Sequence, residues 1–491
     1  MSILGVLTIQ ILKFSKVATY RGLSTVSRDL LDGVDKPPYV SFIEQLSKDP
    51  IGLKIYYTIN YLSLARQHLM IYAVIGLGYV GLGLATALSK KHTVLGYDIS
   101  RERIAALKNN IDNNQLISDE QLKRSKVLYT NDIGDIKGAN FYIVSVSTPA
   151  YYYETPNLEP LISAVRQLGK ILKKGDVVVF ESTVYPGTTE EICVPILEEA
   201  SHLVNGEDFH VGYSPERINP GDQKHTLKNI TKIISAQNRK TLKTIHETYS
   251  SICEKVYPVS SIQIAEAIKI LENTQRDVNI ALMNEFTKIM HALNLDTHEI
   301  IEGAKTKWCF LPFKPGFVGG HCISIDPHYL AFKAKRHGVQ PDLILTARKI
   351  NDGMTQFIIQ SMLKILIQNN ISTSNITIGI LGISYKENTN DLRNSLALKL
   401  IKELGEYGFN YRVHDPMSYV NLLETHNVNL EKLTSLKNLS VVIIVVGHDY
   451  YRDIGLKNIL KSCKSPCVVM DIPNLFVHER DTFKDILYWN L

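Results

Sequence analysis

The sequence predicts an α/β protein with a parallel-sheet domain towards each end and a long helix between them. Three observations carry this. Short β-rich runs alternate with amphipathic stretches from Met70 to about residue 260 and again after residue 371. A glycine-rich turn joins the first run to the first helix. Residues 261–293 contain neither Gly nor Pro.

The N-terminal runs are 70–76 (MIYAVIG), 93–98 (TVLGYD), 141–148 (FYIVSVST), 176–183 (DVVVFEST) and 230–236 (ITKIISA). They are apolar almost throughout rather than alternating, as expected of strands buried on both faces. Stretches such as VGLGLATALSKK and LISAVRQLGKILKK supply the covering helices. Residues 261–293 repeat apolar positions at helical spacing and read as one or two long helices. A helix of that length between two α/β domains is expected to be a spine and a dimer contact; the plainer reading is a linker. After residue 371 come runs at 376–384, 410–416, 441–446 and 467–472, with a helix over 395–407 ending before Gly408.

Composition excludes several classes. The 491 residues are 45% hydrophobic and 21% charged, enough chain for two to four domains. A net charge of +5, with no concentrated basic stripe, does not point to nucleic acid. No window of 18 uninterrupted apolar residues occurs, so no membrane span is expected. Six cysteines make no disulfide framework, which suits a reducing compartment. Cys463 and Cys467 lack a second ligand cluster and read as packed or surface thiols rather than a metal site. Residues 1–69 are set apart: the first 28 carry Lys13, Lys16, Arg21 and Arg28 with several Ser/Thr, resembling a transit sequence. An appended segment ahead of a body starting at Met70 is the favoured reading, and no chemistry is legible in it.

Gly76-Leu-Gly78-Tyr79-Val80-Gly81 follows the first run and opens a helix, and Asp98 ends the second run 22 residues after Gly76. This is the dinucleotide-binding pattern of a Rossmann domain: Gly76 for the turn, Gly78 for approach to the pyrophosphate, Gly81 for helix packing. An acid at position 98 suits a ribose 2′-hydroxyl and repels a 2′-phosphate, so NAD is expected over NADP. Arg103, close behind, is a candidate contact to the adenosine side.

Cys322 lies in FVGGHCISIDP, after Gly319 and Gly320 and before Asp326. From spacing alone a lone cysteine is a small buried hydrophobe. Beside a nicotinamide, however, a thiol permits an aldehyde to be oxidised further, through a hemithioacetal and a thioester. Lys269 and Asn273, in AEAIKILEN, share a helix face and are a charge and a donor suited to an oxyanion, or an ordinary exposed face. A lysine close to the thiol would favour thiolate.

GLGYVGLGLA, VSTP, ESTVYPGTTE, YSPERINPGD, AEAIKILEN, FLPFKPGFVGGHCISIDP and YKENTNDLRNS occur in this order between residues 70 and about 475. Together they resemble the nucleotide-sugar 6-dehydrogenase family, which includes the UDP-glucose dehydrogenases. YSPERINPGD with FLPFKPGFVGGHC is similar to the branch, including the Vi-antigen-type enzymes, that oxidises UDP-N-acetylhexosamines for bacterial capsules. The resemblance implies three domains: an NAD-binding Rossmann domain over 70–260, a central long-helix dimerisation domain over 261–370 holding the cysteine loop, and a Rossmann-like UDP-binding domain over 371–491. It implies Cys322 as nucleophile, Lys269 and Asn273 as oxyanion donors, and Asp326 ordering water or thiol. Thr148 would position a water, Glu216 would assist thioester hydrolysis, and Glu181 would lie near the nicotinamide. Arg217, Lys314, Gly319, Arg348, Lys386 and Arg393 become candidate contacts to the UDP-sugar. The implied reaction takes a UDP-sugar to its uronate in the cytoplasm, consuming two NAD⁺ and one water.

The sequence departs from this branch at His328, where an aromatic is more common, at Lys314, where arginine is common, and in the 69-residue extension. Lysine lacks the guanidinium's fork, so sugar choice or affinity would differ. UDP-GlcNAc, UDP-GalNAc and UDP-glucose remain open as substrates. Outside the family, the rivals are a one-step hydroxyacid-type dehydrogenase, which needs no thiol, and a silent NAD- or UDP-sugar-binding protein.

Overall fold

A computed structural model describes residues 70–114, 116–151, 155–218, 224–418 and 428–491. The expectations for residues 1–69 lie outside the described residues. Residues 70–491 form one compact unit built on two sheets. The first contains β1 (Ile71–Ile75), β2 (Thr93–Tyr97), β3 (Leu128–Thr130), β4 (Phe141–Val144), β5 (Val177–Phe180), β6 (His210–Tyr213), β7 (Thr231–Ala236) and β8 (Lys255–Pro258). Their order is β3-β2-β1-β4-β5-β6-β7-β8, parallel except where β7 runs against β6. The second contains β9 (Thr377–Leu381), β10 (Asn410–His414), β11 (Leu439–Ile444), β12 (Cys463–Asp471) and β13 (Ile486–Asn490), all parallel in the order β10-β9-β11-β12-β13.

In both sheets the strand order reverses beside the first strand, between β1 and β4 and between β9 and β11. Ligands of such sheets bind outside the carboxyl ends of the strands at this reversal. The chain turns there on a glycine in each case. Gly76 has φ +91°, and a Cβ on it would meet Ser145 and Val146 backbone at 3.0 Å. Gly382 has φ +85°, and its Cβ would meet Val446 at 2.7 Å. An acid from the neighbouring strand end ties each turn down: Asp98 accepts from the Leu77 amide at 2.8 Å, Asp415 from the Ile383 amide at 2.7 Å.

Each sheet buries apolar side chains on both faces, the continuous-run pattern expected of β1, β4, β5 and β11. Residues 261–293 are one helix, Ile262–Leu293, capped by the Ser261 hydroxyl and stopped at Asn294 in the left-handed region. At 1.5 Å per residue it is about 48 Å long. The helix Leu396–Glu406 ends as expected before Gly408, which has φ +79°.

The long helix also anchors the cysteine loop. Asn284 accepts from the Gly316 amide at 2.8 Å and donates to the Gly316 carbonyl at 3.0 Å. After Cys322 the helix Asp326–Arg336 begins, its first amides closing on the Cys322 carbonyl: Ile325 at 3.0 Å and Asp326 at 2.8 Å. The glycine pair before Cys322 is explained by close approach of the second sheet's domain. A Cβ on Gly319 would meet the Asn394 carbonyl at 2.7 Å, and one on Gly320 would strike the Tyr385 ring at 2.7 Å. Asn394 also donates to the Gly320 carbonyl at 3.0 Å.

Candidate active site

The turn after β1 has the geometry of a dinucleotide cradle. A Cβ on Gly81 would lie 1.8 Å from the Gly76 carbonyl, while Gly78 faces nothing within 4 Å. So Gly81 is required for packing and Gly78 leaves an open face before the helix Gly81–Ser89. Asp98 is half-buried, and each carboxylate oxygen receives one backbone donor, from Leu77 and from Ser100 at 2.9 Å. A carboxylate has about four acceptor positions, so Asp98 keeps capacity for ribose hydroxyls. Arg103 braces the turn instead of reaching outward: its Nε donates to the Leu77 carbonyl at 2.9 Å and Nη1 to Asp112 at 2.7 Å. Its buried Nη2 finds no acceptor, and a donor left bare beside this turn fits a bound dinucleotide.

Next to the cradle is a cleft of about 920 Å³, lined by Arg217, Lys269, Asn273, Arg276, Cys322 and Lys386 among others. That is the size of a nucleotide-scale pocket. Lys269 and Asn273 reach it from one face of the long helix, and Asn273 Nδ2 donates to Asp326 Oδ2 at 2.5 Å. Burial pushes the Cys322 thiol up to about 11; Asp326 adds to the rise and Lys269 opposes it. Burial likewise lifts the Asp326 carboxyl to about 6, against the Lys269 charge and the Asn273 hydrogen bond. These couplings put all four groups together. Lys269 favours the thiolate in direction, as expected, but burial outweighs the single ammonium and the thiol stays above its usual range.

Behind the cleft wall, Glu216 is 7% exposed. Its Oε1 accepts from the Arg217 and Ile218 amides, each at 2.6 Å, and its Oε2 from Lys232 at 3.2 Å. Burial acts to raise its carboxyl, but the Lys232 charge and the two amides win and hold it below the usual range. Arg217 lies on Glu272 of the long helix at 2.8 Å and donates to the Thr231 carbonyl. Thr148 donates to the Thr183 carbonyl at 2.6 Å, and Tyr329 donates to the Thr148 carbonyl at 2.8 Å.

Three family models cover most of the chain. The NAD binding domain of the UDP-glucose/GDP-mannose dehydrogenase family matches residues 70–253, its central domain residues 263–353 and its UDP binding domain residues 379–478. The chain belongs to the UDP-glucose/GDP-mannose dehydrogenase family. It is 45% identical to Protein CapL of Staphylococcus aureus over 82% of this chain and 95% of that one. It is 43% identical, over the same shares, to the UDP-N-acetyl-D-glucosamine 6-dehydrogenase of Salmonella typhi. Among solved structures, the UDP-D-ManNAc dehydrogenase of Pyrococcus horikoshii superimposes with TM-score 0.78 at 31% identity, covering 86% of this chain and 99% of that one. The family's three-domain architecture, its NAD cofactor and its NAD-dependent nucleotide-sugar dehydrogenase chemistry are those of this chain.

Within this dehydrogenase frame, several candidate residues lie where they were not expected. Arg348 is 3% exposed and locked between Asp277, at 2.6 Å, and Asp352, so it ties the helix Asp342–Asp352 to the long helix rather than meeting a sugar. Lys314 is exposed and does not line the cleft; its charge acts on Glu302 and His298. Glu181 is 1% exposed, its carboxylate facing Lys232 and Tyr249 inside the domain rather than a nicotinamide. Gly319 lines the cleft, yet the Asn394 carbonyl already explains its lack of a side chain. Arg393 pairs with Asp391 at 2.6 Å and lies 4.8 Å over the Tyr79 ring, so it joins the UDP-binding domain to the cofactor turn. Lys386 does line the cleft, with its ammonium 5.5 Å from the Tyr385 ring centroid. His328 is buried in the helix behind the thiol loop.

Sequence reasoning missed Lys232, Asn284, Tyr385 and Arg276. Lys232 alone left a signal: one cation inside the apolar run ITKIISA.

Proposed function

We propose that this dehydrogenase oxidises the C6 hydroxymethyl of UDP-GlcNAc to the carboxylate, through a hemithioacetal and a thioester on Cys322, for surface-polysaccharide synthesis. The observation that carries the reading is the convergence of Cys322, Lys269 and Asn273 on one cleft beside the cofactor turn, with Asp326 buried behind it against Asn273. A thiol with a charge, an amide and a carboxylate around it serves a four-electron oxidation and is superfluous to a two-electron one. The relatives named for UDP-N-acetyl-D-glucosamine, at 43% and 40% identity, favour that sugar.

NAD⁺, bound at Gly76–Gly81 and Asp98, supplies the hydride acceptor for both oxidations. Lys269 and the free N–H of Asn273 stabilise oxygen charge at C6. Cys322 gives up its proton as sulfur bonds to the aldehyde carbon, with Asp326 beside it to take that proton. Glu216 then serves the hydrolytic water, and Thr148 orients it. Arg217 and Lys386 face the diphosphate or the sugar from the cleft wall. We assign residues 70–260, 261–370 and 371–491 to the three domains, because the first sheet ends at Pro258 and the second begins at Thr377.

The test is NADH formed per sugar consumed with UDP-GlcNAc, UDP-GalNAc and UDP-glucose. Two NADH per sugar, fastest with UDP-GlcNAc, is expected. One NADH per sugar refutes the thioester route, and a faster rival sugar refutes the substrate.

A homodimer through the long helix belongs to the same proposal. Ile264, Leu271, Leu282, Ile289 and Leu293 are all exposed, Leu271 by 63%. Their spacings of 7, 11, 7 and 4 keep them on one stripe of a 3.6-residue helix. Such a stripe on a water-soluble chain calls for a partner. Sedimentation is expected to give twice the mass of one chain; a monomer at micromolar concentration rejects the dimer. No described helix is long and apolar enough to cross a membrane. We place the enzyme in the cytoplasm, with its UDP-sugar and NAD; recovery in the membrane fraction of lysed cells contradicts this.

A further inference from the structure

Lys232 stands on β7 with its side chain fully buried. Its ammonium donates to Glu181 Oε2 at 2.8 Å, Glu216 Oε2 at 3.2 Å and the Pro215 carbonyl at 3.3 Å. Those three acceptors use all three of its protons. Glu181 is held in turn by the Tyr249 hydroxyl on its other oxygen. Two carboxylates and one ammonium, all out of water, are costly to assemble. No motif carrying the family resemblance contains Lys232, and it is not among the residues lining the cleft.

The geometry at Glu216 shows what the cluster does. Oε1 receives two amide protons and is full; Oε2 receives one proton from Lys232. Of the carboxylate's roughly four acceptor positions, one therefore remains, on Oε2. Lys232 fixes the direction in which that last position points, and its charge keeps Glu216 ionised inside the protein. Arg217 and Ile218, whose amides pin Glu216, line the same cleft as Cys322. The Glu181–Tyr249 pair anchors Lys232 from behind, so that the ammonium does not follow the carboxylate when it takes a proton.

We propose that Lys232 is a positioning residue for thioester hydrolysis, acting through Glu216 and not needed for the oxidations that precede it. This rests on Glu216 being the base of the hydrolytic step. In that step the water oxygen bonds to C6 of the thioester, and one water proton passes to Glu216 Oε2. The C6–Sγ bond breaks with its electron pair on Sγ, which recovers the proton from Glu216. The second water proton leaves the new acid to solvent, so thioester and water give carboxylate, thiol and one H⁺. No further oxidant enters.

The test compares wild type, Lys232→Met, Lys232→Arg and Glu216→Gln with UDP-GlcNAc and excess NAD⁺ in rapid-mix and steady-state assays. In Lys232→Met a burst of about two NADH per site is expected, then a steady rate about 10²-fold below wild type, the scale of a lost general base. Intact-mass measurement of quenched enzyme should find a UDP-sugar acyl adduct on Cys322. The acidic limb of the kcat profile should move to higher pH, because Glu216 has lost the charge that favours its ionised form. Lys232→Arg should restore most of the steady rate.

If Glu216→Gln accumulates the adduct and Lys232→Met does not, Lys232 is structural and the inference is overturned while the Glu216 role stands. If neither accumulates it, Glu216 is not the hydrolytic base and both fall. Should Lys232→Met fail to fold, the double variant Glu181→Gln/Lys232→Met removes one opposite charge of the cluster with the other, and is read by the same criteria.

Discussion

In the Cys322→Ser enzyme, NADH production from the UDP-sugar is expected to fall by about 10³-fold or more, about 4 kcal/mol of transition-state stabilisation. The first oxidation needs no sulfur, so at most one NADH per active site should appear before turnover stops. A serine hydroxyl has the thiol's shape but is far harder to deprotonate, and the neighbours here do little to help. Even the thiol, titrating near 11, is not ionised at neutral pH. The loop itself should survive the change. It is held by Asn284 on Gly316 and by two amides on the Cys322 carbonyl, none of which involves the side chain. A thermal melt within a few degrees of wild type, with turnover gone, is the expected pair of results. Retention of two NADH per sugar at near wild-type rate would return Cys322 to a packing role.

The second large effect is expected at Lys269. Lys269→Met should lower kcat about 10²- to 10³-fold, the loss typical of an oxyanion donor. A readout independent of turnover comes from alkylation of Cys322 by iodoacetamide between pH 7 and 10. The Lys269 charge favours the thiolate, so its removal raises the thiol pKa further and slows alkylation at every pH in that range. Asp326→Asn should do the reverse, because the Asp326 charge adds to burial in holding the thiol protonated. That variant is expected to alkylate faster while turning over more slowly. Unchanged alkylation in both would mean that neither charge is felt at the sulfur.

Much of this was legible in the sequence, for reasons that can be named. β1, β4 and β5 declare themselves because strands covered on both faces need continuous apolar runs, and the cofactor turn because its glycines are sterically compelled. β3, β6, β8 and β13 were not read. They are three to five residues long, and three of the four hold no fully apolar run. The thiol's companions Lys269, Asn273 and Asp326 could be found because two share a helix face and the third follows Cys322 by one turn.

Long-range pairing was the part out of reach. Arg348, in TARKIND, was a candidate contact to the UDP-sugar, but Asp277, 71 positions earlier, holds it in the interior. Glu181 and Glu216 follow the ends of β5 and β6 while Lys232 lies on β7, and only the sheet order makes them one cluster. The glycine pair before Cys322 was rightly singled out, but its cause is Tyr385 and Asn394 pressing from another domain. No local pattern carries that information.

The two glycine turns described at the reversals of the sheets bear on how the molecule divides its labour. Each half follows one plan: a strand, a left-handed glycine, and an acid from the adjacent strand reaching back to the next amide. Yet the acids differ in what they have left to give. Asp98 takes two backbone donors and stays open. Asp415 takes the Ile383, Ser384, Met417 and Ser418 amides and faces the His448 ring at 3.3 Å. His448 accepts the Asn388 amide on Nδ1, so its proton sits on Nε2, towards Asp415. The carboxylate that keeps acceptor positions free in one half is thus saturated in the other. Of the two acids that brace these turns, Asp98 alone can still accept from a ligand, so the two halves share a scaffold without sharing a binding group at its reversal.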